Sequence, residues 1–325
     1  MESRSEPIKT IAELSGIRPH LLYRHYKQVS GFYQWDQRDH AAEYLVFEKN
    51  IGSRLSIDEV SLTKGELYTY VTNKAARGRK GTLVASIQGT RSKDIIEVLK
   101  KIPLQQRLQV KEVTVDMAAS MSAAVRAVFP NARLVIDRFH VGQLAHDVVQ
   151  SVRIKYRWKE LDRENKASKA ARKAGEKYLP EQLLNGDTPR QLLARCRYAL
   201  YKSEDKWTNN QWLRLYIAFE RYPKLKRAYE HAQRLTHIYQ GTEKAKAIEA
   251  LKKWICEARK LKIKEFETCA NTLQEHLPNI VNYFDHRSTN ASAESFNAKI
   301  KQFRALQRGV RDSEFFLFRL TKLYA

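Results

Sequence analysis

The order of the short apolar runs between residues 54 and 140 constrains the fold of this 325-residue chain more than any other feature. Three runs that alternate apolar and polar residues predict consecutive antiparallel strands at 54–62, 67–73 and 82–89. Helices and buried strands then alternate: a helix at 92–102, a strand at 110–116, a helix at 117–129, a strand at 132–140 and a helix from about Val141. This order is typical of an α/β, ribonuclease-H-like fold, in which helices flank a mixed sheet.

The region after this alternation is predicted to be helical. Residues 145–284 have no convincing strand pattern and many stretches rich in Lys, Arg, Ala, Leu and Glu, so we expect an all-helical insertion domain. The predicted division has four parts: an N-terminal helical region at 1–44, the first part of the α/β core at 45–144, the insertion domain at 145–284 and the last part of the core at 285–325.

Residues 8–29 have the pattern of two helices separated by a turn at Gly16. The segment resembles part of a helix-turn-helix, because its second helix carries Arg18, His20 and Arg24, the kind of side chains that a groove-reading helix uses. A full module usually needs a third helix. Two interpretations stay open, DNA reading and a structural helical hairpin.

The net charge indicates a polyanionic partner. Lys and Arg number 59 against 36 Asp and Glu, a net charge of +23 that is spread along the chain. Hydrophobic residues make up 43%, which excludes a disordered basic tail. Phosphate contact is favoured at 153–177, which holds ten basic residues and four acidic ones, with a solvated helix face as the alternative. The glycine-bearing basic turn 74–81 is a second candidate for phosphate contact, although such a turn is usually just solvated.

Cysteine usage and hydropathy exclude several other classes. Cys196, Cys256 and Cys269 are widely spaced and form no CxxC pair, which argues against a disulfide framework and a zinc ribbon. No stretch approaches 18 uncharged apolar residues, and the first ten residues lack the apolar core of a signal peptide. We therefore expect a soluble, intracellular protein with no membrane partner.

Two aspartates are candidates for metal chemistry. Asp58 lies inside the first predicted strand, where a carboxylate is costly unless a cation compensates it. Asp116 ends the strand at 110–116, at the edge where open α/β sheets place their ligands. The first and fourth strands are neighbours in this fold, so the two carboxylates are expected to converge.

A third carboxylate is expected from a late helix, and Glu294 qualifies. Asn297 and Lys301 follow it at i+3 and i+7 on the same helix face, and the polar residues before it can cap the helix. Three carboxylates at one edge can bind two Mg²⁺ or Mn²⁺ ions, the arrangement that promotes phosphodiester transfer.

Three segments together resemble a known family. They are IDEVSL at 57–62, VTVDMAASMSAAVRAVFPNARLVIDRFHV at 113–141 and TNASAESFNAKIKQFRALQRGVRD at 289–312. In this order they resemble the core of bacterial insertion-sequence DDE transposases, of the ISL-three-like family and its ISAon-like group. The resemblance covers roughly residues 45–325.

The resemblance implies roles for particular residues. Asp58, Asp116 and Glu294 match the family's metal-binding triad for two Mg²⁺ or Mn²⁺ ions. Asp137 and His140 match its Asp-x-x-His pattern and are implied to lie near the active centre, with His140 contacting the scissile phosphate or holding an acid. Asp137 also ends a strand and so rivals Asp116, which we prefer because the fold requires that ligand on the fourth predicted strand.

The resemblance also implies an activity and partners. The chain would cleave transposon ends at their terminal inverted repeats and join them to target DNA, as a homodimer or larger assembly in the bacterial cytoplasm, associated with the nucleoid. The wider family begins with a zinc ribbon and a full helix-turn-helix, so we expect end recognition to involve a separately encoded N-terminal DNA-binding protein. The residues predicted to contact DNA are Lys74, Arg77, Arg79, Lys80, Arg153, Lys155, Arg157, Asn297, Lys299, Lys301, Arg304 and Arg308.

Two other functions fit the same residues. One is a non-catalytic DNA-binding protein, either a decayed or domesticated transposase or a repressor that uses residues 8–29. The other is a structure-directed nuclease on the same fold, which would cut branched DNA and join no strands.

Overall fold

The computed structural model describes residues 6–63, 66–307, 309–310 and 312–325, so the predicted DNA contact Arg308 lies outside the described residues. The chain forms two compact units. The first consists of the chain up to Asp137 together with Asp285–Ala325, and the second is Arg138–Phe284. The second unit begins seven residues before the predicted insertion domain, because one long helix starts at Arg138 and belongs to it.

A six-stranded sheet is the centre of the first unit. The strands are β1 (Tyr44–Val46), β2 (Arg54–Thr63), β3 (Glu66–Asn73), β4 (Leu83–Gln88), β5 (Glu112–Val115) and β6 (Arg133–Ile136). Their order in the sheet is β1-β4-β3-β2-β5-β6. Strands β1 to β4 pair antiparallel, whereas β2, β5 and β6 are parallel. The five predicted strands and the adjacency of β2 and β5 are confirmed, while β1 is too short for its periodicity to be visible.

The predicted strand at 132–140 needs correction. Strand β6 pairs with β5 only as far as Val115↔Ile136, and the amide of Asp137 makes the last ladder bond, to the Val115 carbonyl. A helix begins at the next residue, Arg138. Asp137 therefore marks the end of the strand, and His140 lies in the first turn of that helix.

Seven helices belong to the first unit: α1 (Ile8–Leu14), α2 (Pro19–Val29), α3 (Ser92–Leu99), α4 (Leu104–Leu108), α5 (Ala119–Val128), α13 (Ala291–Leu306) and α14 (Ser313–Tyr324). Helix α13 covers the sheet, because Phe296, Ile300 and Phe303 pack with Val60 and Tyr70 in one buried cluster. These apolar positions recur every three to four residues, the spacing that places them on one helix face. The cluster thus joins residues more than two hundred positions apart in the sequence.

The predicted helical hairpin at 8–29 is present as α1 and α2, with Gly16 in the left-handed region at a φ of 65°. Its inner side packs on α14 in a second cluster that includes Tyr26, Phe32 and Phe315. The Lys27 ammonium lies 2.5 Å from the Asp312 carboxylate and strengthens this contact. Arg18, His20 and Arg24 are exposed, so both interpretations of the hairpin stay open.

The second unit is helical, and residues 138–284, all of them described, include no strand. Its helices are α6 (Arg138–Lys173), α7 (Pro189–Arg195), α8 (Asn209–Arg221), α9 (Pro223–Ile238), α10 (Lys244–Lys260) and α11 (Lys264–Ile280), and a short helix, α12 (Tyr283–His286), spans the boundary. Trp254 is buried, stacks on the His231 ring and donates a 2.8 Å hydrogen bond to the His231 carbonyl. None of the helices in the described part of the chain is long and apolar enough to cross a bilayer.

Candidate active site

Three aspartates fall in one row when the register of the parallel strands is continued one or two residues past the last paired positions, Ser56↔Thr114 and Val115↔Ile136. Every β2–β5 pair is 58 positions apart, as Asp58 and Asp116 are. Every β5–β6 pair is 21 positions apart, as Asp116 and Asp137 are. Residues in one row of a parallel sheet point to the same face, with neighbouring strands about 4.8 Å apart. The sheet therefore brings the two predicted strand acids and their rival to one edge.

Helix α13 contacts this row directly. The side-chain amide of Asn297 is 6% exposed and donates a 2.7 Å hydrogen bond to Oδ2 of Asp58. The other carboxylate oxygen, Oδ1, accepts a 2.9 Å bond from the amide of Glu59. A charged acceptor with two donors is held in one orientation. Asn297 is thus a hydrogen-bond partner of Asp58, while its predicted contact with DNA stays a prediction.

Glu59 is an acid near the site that the sequence analysis missed. Burial raises the pKa of its carboxyl, and the charges of Asp116 and Asp58 raise it further. Like charges disfavour ionisation in this way only when the groups are close and poorly screened. Glu59 is therefore close enough to both aspartates for their charges to act on its carboxyl. Nothing in its sequence position distinguished it from an ordinary strand residue.

Asp116 and Asp137 differ in what surrounds them. Oδ1 of Asp116 accepts a 2.9 Å bond from the Ala118 amide, two residues on, in the turn that leads into α5. Asp137 is 1% exposed, and its Oδ1 accepts a 3.3 Å bond from the backbone amide of Asn290. Among the described residues, its Oδ2 has no hydrogen-bond partner. Asp137 thus contacts the residue that begins α13, whereas Asp116 contacts only its own turn.

Glu294 lies in the first turns of α13, and its amide bonds to the Asn290 carbonyl at 2.8 Å. Its side chain is exposed, on the same flank as Asn297 and one turn before it. The polar residues before Glu294 were predicted to cap α13. The side chain of Asn290, the residue just before the helix, instead makes no capping hydrogen bond and is fully buried. Both polar atoms of that side chain lack partners among the described residues.

The side chains at this edge carry the oxygen ligands that a hard divalent cation prefers, although the described residues do not form a complete set of ligands. Carboxylates and amide oxygens are the ligands that Mg²⁺ and Mn²⁺ prefer. Asp58 and Asp116 supply carboxylates in one row, and buried oxygens of Asp137 and Asn290 lack hydrogen-bond donors in the described structure. No group of three His, Cys, Asp or Glu side chains in the described part of the chain is close enough to hold a metal.

Lys74 lies largely enclosed beside this row, and its predicted phosphate contact stays a prediction. Its side chain is 13% exposed, and its ammonium contacts the Thr114 hydroxyl and, at 2.9 Å, the Ser288 hydroxyl. The Glu112 carboxylate lies 3.7 Å away. Burial lowers the pKa of Lys74 to about 8, although the charges of Glu112 and Asp137 oppose this shift.

Two further predicted DNA contacts are occupied within the protein. Arg153 is 5% exposed, and its guanidinium bonds to Gln150 and to the Leu193 carbonyl. Lys299 donates a 2.7 Å bond to the carbonyl of Gly78, which holds the turn 74–81 against α13.

The other predicted DNA contacts vary in their accessibility. Lys155 is paired with Glu265, and Arg304 donates a bond to the Ser61 carbonyl. The side chains that remain exposed are Arg77, Arg79, Lys80, Arg157 and Lys301. His140 is half-buried near the start of α6, in the second unit.

Comparison with known proteins identifies the family. A model of the ISL3-type DDE transposases, described as "Transposase", matches residues 55–320, which is more than half of the chain. The chain belongs to this family. Residues 8–29 lie outside the match, and the region that holds Asp58, Asp116, Asp137 and Glu294 lies inside it.

Curated relatives include insertion-sequence transposases. The chain is 24% identical over 268 residues to the transposase for insertion sequence element IS1001 of Bordetella parapertussis, covering 82% of this chain and 59% of the relative. It is 25% identical over 269 residues to the transposase for insertion sequence element IS1557 of Mycobacterium tuberculosis, covering 80% of this chain and 57% of the relative. The chain thus spans less than two thirds of these relatives. No solved structure matches it.

Proposed function

We propose that this chain carries the catalytic site of a DNA transposase that cleaves the ends of an insertion sequence and joins them to target DNA. The observation that carries the proposal is the placement of Asp58 and Asp116 in one register row, beneath the helix that bears Glu294. Membership of the ISL3-type family supports it independently.

The sheet supports a ribonuclease-H-like core. The order β4-β3-β2-β5-β6, in which β3 alone runs opposite to the others, agrees with the fold expected from the sequence. In this interpretation the helical unit Arg138–Phe284 is the insertion domain that separates Asp116 from Glu294.

In the proposed mechanism, Asp58, Asp116 and Glu294 hold two Mg²⁺ or Mn²⁺ ions. When bound, the ions would activate the attacking oxygen and stabilise the leaving oxygen of a phosphodiester. The attacking oxygen would belong to water in end cleavage and to the freed 3′-hydroxyl in strand transfer. Asn297 fixes the orientation of Asp58 through its 2.7 Å hydrogen bond, so that carboxylate needs little rearrangement before reaction.

The exposed cations are proposed to bind the DNA backbone. Arg77, Arg79 and Lys80 lie on the turn that Lys299 holds against α13, which places three positive charges beside the site. In the second unit, Arg157 and the end of α6 are exposed, including Lys166, Lys169, Arg172 and Lys173. Because phosphate contacts release counterions, DNA affinity should fall steeply with salt. We include His140 as a proposed phosphate contact.

The proposed assembly is a homodimer or larger complex on DNA. A transposase must act on two ends, and terminal repeats must be recognised by some DNA-reading element. We propose that a second polypeptide, or the exposed side of α2, takes part in this recognition.

Cleavage of DNA that carries the two element ends tests the proposal. We expect nicking that requires Mg²⁺ or Mn²⁺ and is lost in both Asp58→Asn and Asp116→Asn, by about 100- to 1000-fold or more. Asp39→Asn, an exposed acid in the same unit, is the matched control and should cleave as wild type does. Metal-dependent cleavage that survives both active-site substitutions would refute the assignment.

One observation favours a second candidate. Residues 8–29 lie outside the family match and form two helices whose Arg18, His20 and Arg24 are exposed, as a DNA-binding protein without catalysis would need. Such a protein would bind DNA equally with and without metal and would not cleave it. A structure-directed nuclease would instead cut branched DNA without element ends and would leave strands unjoined.

A further inference from the structure

Three polar contacts join the segment that leads into α13 to the sheet and its neighbouring turn. Arg133 of β6 pairs with Asp285, the ammonium of Lys74 contacts the Ser288 hydroxyl, and the Asn290 amide donates to Asp137. The contacts fall at residues 285, 288 and 290, immediately before the helix begins at Ala291. The start of α13 is therefore held by directional polar contacts as well as by packing.

The contacts made by Lys74 and by Asp137 lie next to each other on the sheet. Lys74 contacts Ser288, Glu112 and Thr114 of β5, and the amide of Asp137 bonds to the carbonyl of Val115, the residue after Thr114. Both side chains are almost completely enclosed. A buried ammonium and a buried carboxylate together form one polar cluster that spans β5, the end of β6 and the approach to α13.

Stability alone does not explain a cluster of buried charges, because moving charged groups out of water costs free energy. Removing two charges from water costs several kcal/mol per ion, and apolar residues of similar size often stabilise a fold equally well. Apolar contacts, however, are non-directional and do not fix how far a helix slides or rotates on a sheet. The packing of Phe296 and Ile300 sets the distance of α13 from the sheet, while the polar contacts set its position along and around its axis.

That position determines where the site residues of α13 lie. Asn290, held by Asp137, accepts the backbone hydrogen bond from Glu294 one turn later. Asn297 follows after one more turn and contacts Asp58. A small rotation of the helix start would move the Glu294 carboxylate by several ångströms while leaving Asp58 and Asp116 unchanged on their strands.

We propose that Lys74 and Asp137 are a pair of positioning residues that fix the start of α13, and with it Glu294, against the Asp58–Asp116 edge. The inference deepens the proposed function and rests on it. It gives Asp137 a role different from that of Asp116, since Asp137 holds the helix and Asp116 holds metal. It also separates Lys74 from the exposed cations of its own turn.

Titration of the whole chain with Mn²⁺, followed by the electron paramagnetic resonance of the free ion, tests the proposal without an activity assay. Loss of a residue that orients metal ligands typically weakens metal affinity about 10- to 100-fold. We expect such weakening in Lys74→Met and in Ser288→Ala, with a similar loss in Asp137→Asn. Lys93→Met, the same substitution at an exposed position on α3, should bind Mn²⁺ as wild type does.

Thermal unfolding of the same samples separates positioning from folding. Ser288→Ala removes only one hydroxyl and no charge, so it should stay folded even if Lys74→Met does not, and it then decides the question. Wild-type Mn²⁺ affinity in folded Ser288→Ala and Lys74→Met would overturn the positioning role and leave the proposed function intact. Absence of Mn²⁺ binding by the wild-type chain would instead refute the metal site, and both proposals with it.

Discussion

The strand acids and the helix acid of the candidate site are held in place by different forces. Asp58 lies on β2 paired with Tyr70 of β3, and Asp116 and Asp137 directly follow β5 and β6, so main-chain hydrogen bonds of the sheet set the positions of all three. Glu294 takes its position from the docking of α13, which depends on a buried apolar cluster and a few side-chain contacts. The strand part of the site is thus intrinsic to the sheet, whereas the helix part can be lost while the sheet survives.

Removing the apolar contact of α13 should have the largest effect on stability. Phe296→Ala deletes a side chain that is fully buried between the helix and the sheet, and such substitutions cost about 3 to 5 kcal/mol. Urea denaturation of the whole chain should show this loss as a lower free energy of unfolding. Leu104→Ala, which truncates an exposed side chain, should change stability by less than about 0.5 kcal/mol. Equal effects of the two would mean that α13 does not dock as described.

Removing the polar contact between helix and strand should cost less. Asn297→Ala deprives the Asp58 carboxylate of a donor, and a hydrogen bond to a charged group contributes about 1.5 to 3 kcal/mol. The control is Asn131→Ala, which removes an exposed bond to the Leu108 carbonyl and should cost under about 0.5 kcal/mol. Chemical denaturation at pH 7 distinguishes the two. A cost for Asn297→Ala as small as that of the control would show that Asp58 does not depend on the helix.

The enclosed lysine predicts a dependence of stability on pH. Burial lowers the pKa of Lys74 in the folded chain to about 8, below its ordinary value of 10.5. Between these values the unfolded chain binds more protons, so the free energy of unfolding should rise with pH, by about 1 kcal/mol between pH 8 and pH 9. Below pH 8 both states are protonated and this dependence vanishes. The difference between wild type and Lys74→Met isolates the contribution, and identical pH profiles would contradict it.

The smallest expected effect concerns the basic turn 74–81, in which Lys74 is largely enclosed and Lys80 is exposed. Lys80→Gln should weaken DNA binding and reduce the slope of affinity against salt by about one, as expected for one lost phosphate contact. It should leave Mn²⁺ affinity unchanged, because Lys80 is exposed and Lys74 is not. Fluorescence anisotropy with duplex DNA at several salt concentrations measures the slope. An unchanged slope would exclude Lys80 from the DNA surface.

The sequence predicted the strand aspartates of the candidate site, because the alternation of apolar and polar residues determines where strands form. Period-two runs located the strands, and their order placed Asp58 beside Asp116, since neighbouring parallel strands keep a constant offset. The predicted strand ran four residues past the end of β6 because the apolar side chain of Phe139 extended the run, while the hydrogen-bond ladder stops at Ile136.

The contacts of α13 could not be predicted in this way. Asn297 and Asp58 are 239 positions apart, and no spacing rule relates them. Lys74 and Lys80 look alike in a glycine-bearing basic turn, and only tertiary packing makes one of them a buried partner of Ser288. Glu112 and Glu59 likewise have no sequence feature that marks them as neighbours of the site.

The long separation between the sheet and its covering helix has a consequence during synthesis. Leu83 leaves the ribosome 213 residues before Phe296, its partner in the buried cluster. At translation rates of about 5 to 20 residues per second, this delay lasts about 10 to 40 s. During that time the apolar side chains of Val60, Tyr68 and Tyr70 are uncovered on the nascent chain. We expect this face to be the main binding site for chaperones while the protein is being made.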